Sequence, residues 1–247
     1  MDDRTRRQVK PACAAGHPSP WLHTVTAERD PFPRTERTAI GRSPERGTDD
    51  RSVAEAILDE GLLCHVGLAT DHGPVVIPTT YARRGDELLI HGSPAATWLR
   101  ATGKGTPVCV TVTLLDGLVL ARSTFHHSMN YRSVVVFGTA EPIVDHAEKA
   151  AALDAIVEHV VPGRTGEVRP MRDDEVRGTL VVRLRLDEAS IKIRTGGPKD
   201  DEADIGLTDV WAGVLPIAPA FGTPVPDEIG PDLPPPASVT SYRRGAR

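Results

Sequence analysis

Aromatic and cysteine residues are both scarce in this chain of 247 residues. Aromatic side chains make up only 4% of the sequence, so the core of the fold must rest on Val, Leu, Ile and Ala. The three cysteines, Cys13, Cys64 and Cys109, are odd in number and widely spaced, with no C-x-x-C pair. This pattern argues against a disulfide scaffold and is typical of a reducing compartment. Cys64 and Cys109 lie in apolar runs, which favours a packing role over a redox role.

The chain also lacks a basic excess, a long apolar run and a secretory leader. Acidic residues outnumber basic ones by 34 to 29, for a net charge of −5, whereas proteins that bind nucleic acid need a basic face for the phosphates. No apolar run approaches the ~20 residues of a membrane span, and the N-terminus has no apolar segment typical of a signal peptide. We therefore expect a cytoplasmic protein with neither a nucleic-acid nor a membrane partner.

Changes in composition divide the chain into three regions. Residues 1–48 are polar, rich in proline and without periodicity, which predicts a disordered or loosely attached extension. Residues 49–196 carry the periodic segments and form the predicted folded domain. Residues 197–247 are again rich in proline, and we expect them to form a tail that wraps the surface of that domain.

Short strands separated by tight turns dominate the folded domain. A capping box at Ser52 and Glu55 starts a first helix, which Gly61 ends. Apolar runs with a period of two then predict strands, and Asp116-Gly117 predicts a hairpin turn. The predicted strands cover residues 62–69, 74–82, 87–91, 107–115, 117–125, 133–143 and 179–195, and further helices cover residues 93–102 and 145–161. This order favours a mainly β fold with peripheral helices, in which the strands form an antiparallel barrel.

A strand-to-helix corner at residues 91–94, HGSP, is the first candidate for a binding site. Ser93 can cap the following helix and Pro94 suits its first position. The free amides and partial positive charge of a helix N-terminus would favour an anion or a phosphate there. Arg100 and Lys104 follow one and two turns later. An ordinary capped helix would show the same pattern, so the residues alone leave both interpretations open.

A proline interrupts the apolar strand at Ile77-Pro78-Thr79-Thr80. Pro78 removes a hydrogen-bond donor from the ladder, which marks a sheet edge or a bulge. Free backbone groups beside two threonines can hydrogen-bond a planar heteroaromatic ring. A purely structural kink is an equal alternative.

The polar stretch TFHHSMNYRS at residues 124–133 precedes an apolar strand. A metal site on His126 and His127 is not expected, because neighbouring strand residues point to opposite faces and no further ligand follows at a suitable spacing. Ser128 lacks the G-x-S-x-G context of a nucleophile. Two interpretations are left, a polar ligand clamp and a turn locked by its own hydrogen bonds. The donors of the clamp would be Ser128, Asn130, Tyr131 and Arg132, of which Arg132 can pair with a phosphate or a carboxylate.

Several blocks of the sequence occur in an order that resembles a known superfamily. The blocks are CHVG, VVIPT, GDELLIHGS, VCVTVTLLDGLVLARS and FHHSMNYRSVVVFG. Together they resemble the FMN-binding split-barrel superfamily, and within it the branch related to pyridoxamine 5′-phosphate oxidase and the nitroimidazole-resistance reductases. The resemblance covers residues 35–239 and does not include the preceding extension. It implies an antiparallel split β-barrel and a homodimer with FMN bound at the subunit interface.

The same resemblance implies where each part of FMN would lie. In the family, the strand that matches residues 76–80 lies along the ring, the strand-to-helix corner holds the phosphate, and the strand that carries Thr111 and Thr113 forms the floor. The implied cofactor-binding residues are Val76, Ile77, Pro78, Thr79, Thr80, His91, Gly92, Ser93, Thr111 and Thr113.

Two neighbouring positions depart from the family pattern. Relatives carry a Ser-Arg pair early in the helix that grips the phosphate, whereas this chain has Ala96-Thr97. Loss of a charge-assisted contact would weaken FMN binding by ~1.5–3 kcal/mol unless another group substitutes for it. The candidates for that substitution are Thr97, Arg100, Lys104 and Arg132.

The resemblance implies an FMN-dependent oxidoreductase, and the spacing of the candidate ligands predicts no metal site. Such an enzyme takes a hydride from a reduced nicotinamide and passes electrons to a nitroaromatic, a quinone or oxygen. His91 and His127 are the candidates for proton delivery, and His126, His127 and Arg132 are candidates for facing the ligand. Vitamin B6 oxidation is not expected, because the substrate-binding Arg and His of true pyridoxamine phosphate oxidases have no match in the tail.

Two alternatives stay open at this point. The first is a non-catalytic flavin-binding dimer, or a flavin-free one, that acts as a sensor or a carrier. The second is a related split barrel that holds haem or a deazaflavin in the same cleft.

Overall fold

The computed structural model describes residues 30–243. The strands are β1 (Gly47–Thr48), β2 (Leu63–Thr70), β3 (Gly73–Arg84), β4 (Glu87–Gly92), β5 (Pro107–Leu120), β6 (Ser128–Thr139), β7 (Glu141–Pro142), β8 (Leu180–Arg185), β9 (Glu188–Arg194) and β10 (Gly213–Pro216). The helices are α1 (Arg51–Glu60), α2 (Thr97–Thr102), α3 (His146–Val160), α4 (Asp173–Arg177) and α5 (Ala237–Thr240). Within this described range, no helix has the length and apolar character needed to cross a membrane.

The strands form one antiparallel sheet in the order β1-β9-β6-β5-β2-β3-β4-β8-β7, with β10 paired to β5. The long strand β3 belongs to both halves of this sheet, because residues 73–80 pair with β2 while residues 81–84 pair with β4. This shared strand lets the sheet fold around one core as a split barrel. The predicted fold, mainly β with peripheral helices, is confirmed.

The main core lies on the inner face of the sheet. Along β2, Cys64, Val66 and Leu68 are buried while their neighbours face outward, as a period of two requires. They pack with apolar residues of β4, β5 and β6 and with α1 and α2. Each fully buried Val, Leu or Ile side chain contributes about 1.5–3 kcal/mol, so this cluster accounts for much of the stability. Burial raises the pKa of the Cys64 thiol to about 12, so Cys64 packs as a small hydrophobic residue.

A smaller core lies between α3 and the second half of the sheet. Ala82 of β3 and Leu89 of β4 pack there with Ile156 of α3. The carboxylate of Asp145 accepts a hydrogen bond from the amide of Glu148 at 2.8 Å and caps the helix. The helix predicted over residues 145–161 is therefore present, and it covers one end of the outer surface of the sheet.

The Asp116-Gly117 pair does not form the predicted hairpin turn. Strand β5 continues to Leu120, with a bulge between Leu115 and Gly117. Strand β10 pairs with this end of β5, and a Cβ on Gly117 would lie 3.1 Å from the carbonyl oxygen of Leu215. The glycine thus permits close strand pairing, whereas the sequence suggested a turn.

Two other local predictions differ from the structure. The strand predicted over residues 179–195 is a hairpin, in which β8 ends at Arg185 and β9 begins at Glu188. Apolar and polar residues alternate on both sides of this turn, so the period of two does not reveal it. Helix α1 is capped by Asp50, whose carboxylate accepts from the amide of Ser52 at 2.8 Å, and not by the predicted Ser52 capping box.

Residues 30–48 pack on the barrel, in contrast to the loose extension predicted for this part of the chain. Phe32 is buried in the main core, and the guanidinium of Arg51 lies 4.2 Å from the centre of its ring. Gly47 and Thr48 pair with β9. The part of the predicted extension before residue 30 lies outside the described residues.

Two attachments hold the later part of the tail on the barrel. Strand β10 pairs with β5, and the backbone amide of Ser238 donates to the carboxylate of Glu167 at 3.0 Å. Near the second attachment, the hydroxyl of Tyr242 donates to the carbonyl of Val160 at 2.7 Å. The segment between the two attachments, residues 218–235, is almost entirely exposed.

Candidate functional site

The strand register brings the predicted ring-binding and floor strands to one surface of the sheet. Pro78 of β3 lies opposite His65 of β2, which in turn lies opposite Thr111 of β5. Residues directly opposite each other in antiparallel strands point to the same face. We call the surface that these residues share, on the side away from the main core, the outer face. The predicted site residues on the outer face are Val76, Pro78, Thr80, Thr111 and Thr113.

Ile77 and Thr79 do not point to the outer face. They lie opposite Val66 and Cys64, which are buried in the main core. Their side chains therefore face the inner side of the sheet. Only their backbone groups can contribute to a site on the outer face.

The outer face of β2, β3 and β5 is accessible and carries no formal charge of the Asp, Glu, Lys or Arg type in residues 63–69, 73–80 and 109–115. Val76 is 63% exposed and Leu63 is 49% exposed. Gly67 lies directly opposite Val76 and has no side chain. A planar aromatic ring can lie on such a surface without covering an unpaired charge.

The sequence predictions missed the contribution of β2 to the outer face. Leu63, His65 and Gly67 belong to β2, which lies between the two strands that were predicted to bind the flavin. A signal for them exists in LCHVGLAT, because the period of two places His65 and Gly67 on the side away from the buried Cys64. The order of the strands, which puts β2 between β3 and β5, cannot be read from this pattern.

The predicted phosphate corner has a different geometry. Helix α2 begins at Thr97 and not at Ser93. The hydroxyl of Ser93 accepts from the amide of Ala95 at 3.1 Å, and its carbonyl accepts from the amide of Ala96 at 2.9 Å. These two amides are thus engaged in a tight turn, and the amides that α2 leaves without intrahelical partners start at Thr97.

The groups around α2 are still placed where an anion can reach them. A Cβ on Gly92 would lie 3.1 Å from a methyl carbon of Leu99, so the glycine allows β4 to pack closely against the helix. Arg100 and Lys104 are exposed, and neither forms an ion pair with another described residue. Phosphate binding by Ser93, Thr97, Arg100 and Lys104 stays a prediction.

His91 faces a pocket between α3 and α4. The cavity has a volume of about 510 Å³, which lies in the range of small-molecule and cofactor sites. Apolar side chains form most of its wall, namely Leu153, Ile156, Val157, Val168 and Met171, and the ion pair of Arg169 and Glu175 also lines it. The Nδ1 atom of His91 is buried and has no hydrogen-bond partner in the described part of the chain.

The pocket also sets the protonation state of His91. Burial lowers the pKa of the imidazole below its ordinary value, because the charged form loses hydration. The ring is therefore neutral near pH 7, which is the form in which histidine binds a metal. The sequence made His91 a candidate for proton delivery. A neutral ring is poorly suited to that role, because it carries no extra proton to give.

His127 lies apart from the predicted floor within one chain. Its Nδ1 atom is 2.9 Å from the carbonyl oxygen of Ser123. Thr113 lies opposite Ser133 of β6, and His127 is six residues before Ser133 in the chain. This separation corresponds to about 20 Å along an extended strand. The structure thus does not bring His127 together with Thr113 in the same subunit.

His126 contacts the tail. Its Nε2 atom is 3.0 Å from the carboxylate of Asp201, and its ring meets that of Phe125 edge-on with 5.1 Å between the ring centres. These contacts join the turn that precedes β6 to the first part of the tail. They support a structural role for this histidine.

Arg132 is held by two carboxylates. Its Nε and Nη2 atoms donate to Asp116 at 3.0 and 2.8 Å, and Nη2 also donates to Glu60 at 3.0 Å. Partial burial opposes the charged form, but the hydrogen bonds that Arg132 donates to Asp116 and Glu60 raise the pKa of the guanidinium above its ordinary value. Arg132 therefore joins α1 to β5 and β6. This geometry supports the structural interpretation of the polar stretch and not a phosphate clamp at Arg132.

Asn130 also serves a structural contact. Its side-chain oxygen accepts from Arg194, which is only 6% exposed and also donates to the carbonyls of Gly196 and Gly197. No carboxylate of residues 30–243 pairs with Arg194, and burial lowers the pKa of its guanidinium. The pair fixes the start of the tail against β6.

Comparison with known families agrees with this geometry. A family model described as pyridoxamine 5′-phosphate oxidase matches residues 50–193, more than half of the chain. The chain belongs to the pyridoxamine 5′-phosphate oxidase family. The predicted resemblance is confirmed, and the matched range runs from the N-cap of α1 into β9, so it contains the whole outer face. No curated protein matches the chain.

Several solved structures are similar to this member of the pyridoxamine 5′-phosphate oxidase family. The flavocytochrome Anf3 from Azotobacter vinelandii is 40% identical, with a TM-score of 0.80, over 86% of this chain and 99% of its own. The FAD and heme binding protein from Mycobacterium smegmatis is 39% identical, with a TM-score of 0.76, over 79% of this chain and 96% of its own. A Bacteroides thetaiotaomicron protein named for 5-nitroimidazole antibiotic resistance is 28% identical, with a TM-score of 0.51, over 60% of this chain and 86% of its own.

Proposed function

We propose that this protein is a flavin-dependent oxidoreductase that acts as a homodimer and binds its flavin on the outer face. The observation that carries the proposal is the uncharged, accessible surface of β3, β2 and β5, which unites Val76, Pro78 and Thr111. Membership of the pyridoxamine 5′-phosphate oxidase family supports it. The similar structures named as a flavocytochrome and as an FAD and heme binding protein support a flavin as well, and they make FAD a candidate beside FMN.

The residues of the outer face have distinct roles in this proposal. Val76 and Pro78 supply apolar surface for the ring, and the hydroxyls of Thr111 and Thr113 supply hydrogen bonds at its polar edge. Gly67 leaves room for the ring to approach the backbone of β2. When bound, the flavin would supply hydride and electron transfer from a reduced nicotinamide to a small acceptor such as a nitroaromatic, a quinone or oxygen.

His65 is the side chain of β2 best placed to move a proton on this surface. It lies opposite Pro78 on one side and Thr111 on the other, and its ring is exposed. An exposed imidazole has ring nitrogens that can exchange a proton with water. His65 thus takes the role that the sequence suggested for His91 and His127, which do not lie beside Thr111.

The outer face also supports the homodimer. It exposes several large apolar side chains in a single chain, including Leu63, Val76 and Leu115. Apolar patches of this kind mark interaction surfaces. A second copy that covers the same surface would shield a bound flavin from water and complete its binding site.

A haem group is the second candidate, and the pocket at His91 favours it. The neutral imidazole of His91 could hold the haem iron, and the apolar side chains of α3 would contact the porphyrin. Met171 lines the same pocket, and its thioether could also bind the iron. In this proposal the protein is a flavocytochrome, with a flavin on the outer face and haem beneath α3.

The flavin proposal is tested by the absorbance spectrum of the purified protein before and after incubation with FMN, FAD or riboflavin and removal of the unbound fraction. We expect about one flavin per subunit to be retained and the flavin to be reduced by NADH or NADPH. Retained flavin without any turnover would support the sensor or carrier alternative. No retained flavin after reconstitution would overturn the proposal.

The haem proposal is tested by adding hemin to the same protein and recording the oxidised and dithionite-reduced spectra. We expect a sharp Soret band with one haem per subunit, and we expect His91→Ala to lose it. His72→Ala is the control, because His72 lies in the exposed turn between β2 and β3. An unchanged Soret band in His91→Ala would exclude His91 as the ligand.

A further inference from the structure

The tail contains a segment that is anchored at both ends but exposed between them. We call residues 218–235 the arm. Before the arm, the amide of Ile217 donates to the carbonyl of Asp116 at 3.0 Å, and after it Ser238 is held by Glu167. Every residue of the arm except Gly230 is exposed. Among the described residues, no hydrogen bond joins the arm to the barrel.

The arm exposes large apolar side chains at a regular spacing of four residues. Phe221, Val225, Ile229 and Leu233 are all exposed, and Val225 and Ile229 are 89% and 95% exposed. Exposed apolar residues that occur singly are ordinary, but four in one segment of 18 residues expose much apolar surface, and we call these four side chains the apolar ridge. A ridge of this kind is stabilised only when another surface covers it.

The composition of the arm suits binding in a fixed conformation. It contains six prolines, which restrict the unbound chain and so lower the entropy lost on binding. Asp227 accepts hydrogen bonds from the amides of Ile229 and Gly230 at 3.2 and 3.0 Å, which forms a local turn. The arm is therefore shaped by its own turn and prolines, and its Phe221 ring packs edge-on against Tyr242 at the second attachment, with 4.6 Å between the ring centres.

We propose that the arm lies against the barrel of a second copy of this chain and clamps the homodimer. The inference rests on the homodimer of the proposed function but not on its cofactor. A twofold axis would place two arms and two outer faces together, so that each exposed apolar surface finds a partner. The attachments of the arm on its own barrel leave it free to reach about 30 Å outward, which is half of its fully extended length.

The area that the arms can bury is sufficient for a stable dimer. The four apolar side chains of one arm expose roughly 300 Å², and two arms with the surfaces beneath them would bury about 1,200 Å². Stable interfaces begin near this value. The apolar surface around Val76 and Leu63 adds to it, so the arms and the outer faces together favour a second copy over an unrelated partner.

Sedimentation equilibrium of the full chain tests the proposal through two charged variants of the arm. Ile229→Asp should weaken the dimer at least tenfold, because it places a charge in the apolar ridge, and the double variant Val225→Asp and Ile229→Asp should weaken it further. Thr223→Asp is the matched control, since it adds the same charge to the same arm at an exposed polar residue, and it should change the dimer dissociation constant less than threefold. Both altered apolar side chains are about nine-tenths exposed, so the subunit should fold normally, as circular dichroism would check.

A photo-crosslinking residue at position 229 gives a second readout. In dimers mixed from isotopically light and heavy chains, crosslinks from position 229 should join a light peptide to a heavy one. A wild-type protein that is monomeric would overturn the homodimer and the arm together. A dimer whose dissociation constant is unchanged by the charged variants, or crosslinks confined to one chain, would overturn the arm alone.

Discussion

Gly67 of β2 lies so close to Cys109 of β5 that a Cβ on Gly67 would be 2.8 Å from the sulfur of Cys109. The two residues are directly opposite each other, and Val76 lies opposite Gly67 on the other side. The missing side chain makes the centre of the outer face flat. This is the surface on which the proposed flavin would lie.

The first prediction concerns the flatness of this surface. In a Cys109→Ala background, which removes the sulfur, Gly67→Val should fold normally because valine is well suited to a strand. The valine side chain at position 67 would project from the outer face at the place where the proposed flavin ring lies. We expect flavin retention to fall at least tenfold, measured by fluorescence titration, while Cys109→Ala alone retains flavin as the wild type does. Equal flavin affinity of the two variants would place the flavin elsewhere.

The sequence predicts the outer face only in part. Alternation in β3 and β5 identifies the strands, and the family resemblance identifies Pro78 and Thr111, but neither shows that β2 lies between them. That order depends on contacts between distant parts of the chain. Gly67 and His65 were missed for this reason, since a glycine and a histidine in an apolar run have no recognisable role until their neighbours across the strands are known.

The second prediction separates structural from cofactor-binding arginines. Arg132→Met leaves the carboxylates of Glu60 and Asp116 partly buried without their shared cation. We expect the free energy of unfolding to fall by about 2–4 kcal/mol, because a buried ion pair loses one partner. The affinity of the folded protein for flavin should change less than threefold, since Arg132 has its donors engaged by carboxylates.

Arg185→Met is the control for this experiment. Arg185 pairs with Asp187 on the surface, where both side chains are more than half exposed, and such pairs contribute little to stability. Urea denaturation of both variants gives the comparison. A stable Arg132→Met protein that has lost flavin would instead restore the phosphate-clamp interpretation.

The third prediction follows from the lowered pKa of His91. In the folded state His91 titrates below the value of about 6.5 that it has in the unfolded chain. Between these two values the unfolded state binds more protons, so the stability of the fold falls as the pH drops through this window. Above about pH 6.5 the ring is neutral in both states and the contribution does not change with pH.

Urea denaturation of the ligand-free protein at pH 7, 6 and 5 measures this effect. We expect the free energy of unfolding to fall less in His91→Gln than in the wild type over this range, whereas the exposed His72→Gln should behave as the wild type. The carboxylates with lowered pKa, such as Glu167 and Asp200, lose their contribution only at lower pH. Parallel pH profiles for wild type and His91→Gln would show that His91 is not buried as described.

His91 also shows where sequence reasoning stops. The HGSP stretch predicts a strand end followed by a helix, and both are present, but the helix begins four residues later than predicted. The pocket at His91 is formed by α3 and α4, which are distant in the sequence. A sequence can indicate that a histidine ends a strand, but the helix that covers it depends on the packing of the whole second core.

The last prediction concerns Gly61, the residue at the end of α1. A Cβ there would lie 2.5 Å from a methyl carbon of Val112 and 2.7 Å from the hydroxyl oxygen of Tyr81. Both neighbours are fully buried, and the Tyr81 hydroxyl donates to the carbonyl of Leu58 at 2.6 Å, so neither can easily move away. Gly61→Ala should therefore lower the free energy of unfolding by about 1–3 kcal/mol through overpacking.

Gly166→Ala is the control for overpacking, because a Cβ on Gly166 would meet no atom within 4 Å. The double variant Gly61→Ala and Val112→Ala should lose less stability than the sum of the two single variants, since removing the methyl groups of Val112 makes room for the new Cβ. Strict additivity in denaturant unfolding would mean that α1 shifts to relieve the contact. Because Glu60 at the end of α1 holds Arg132, such a shift would also loosen the link between this helix and strand β6.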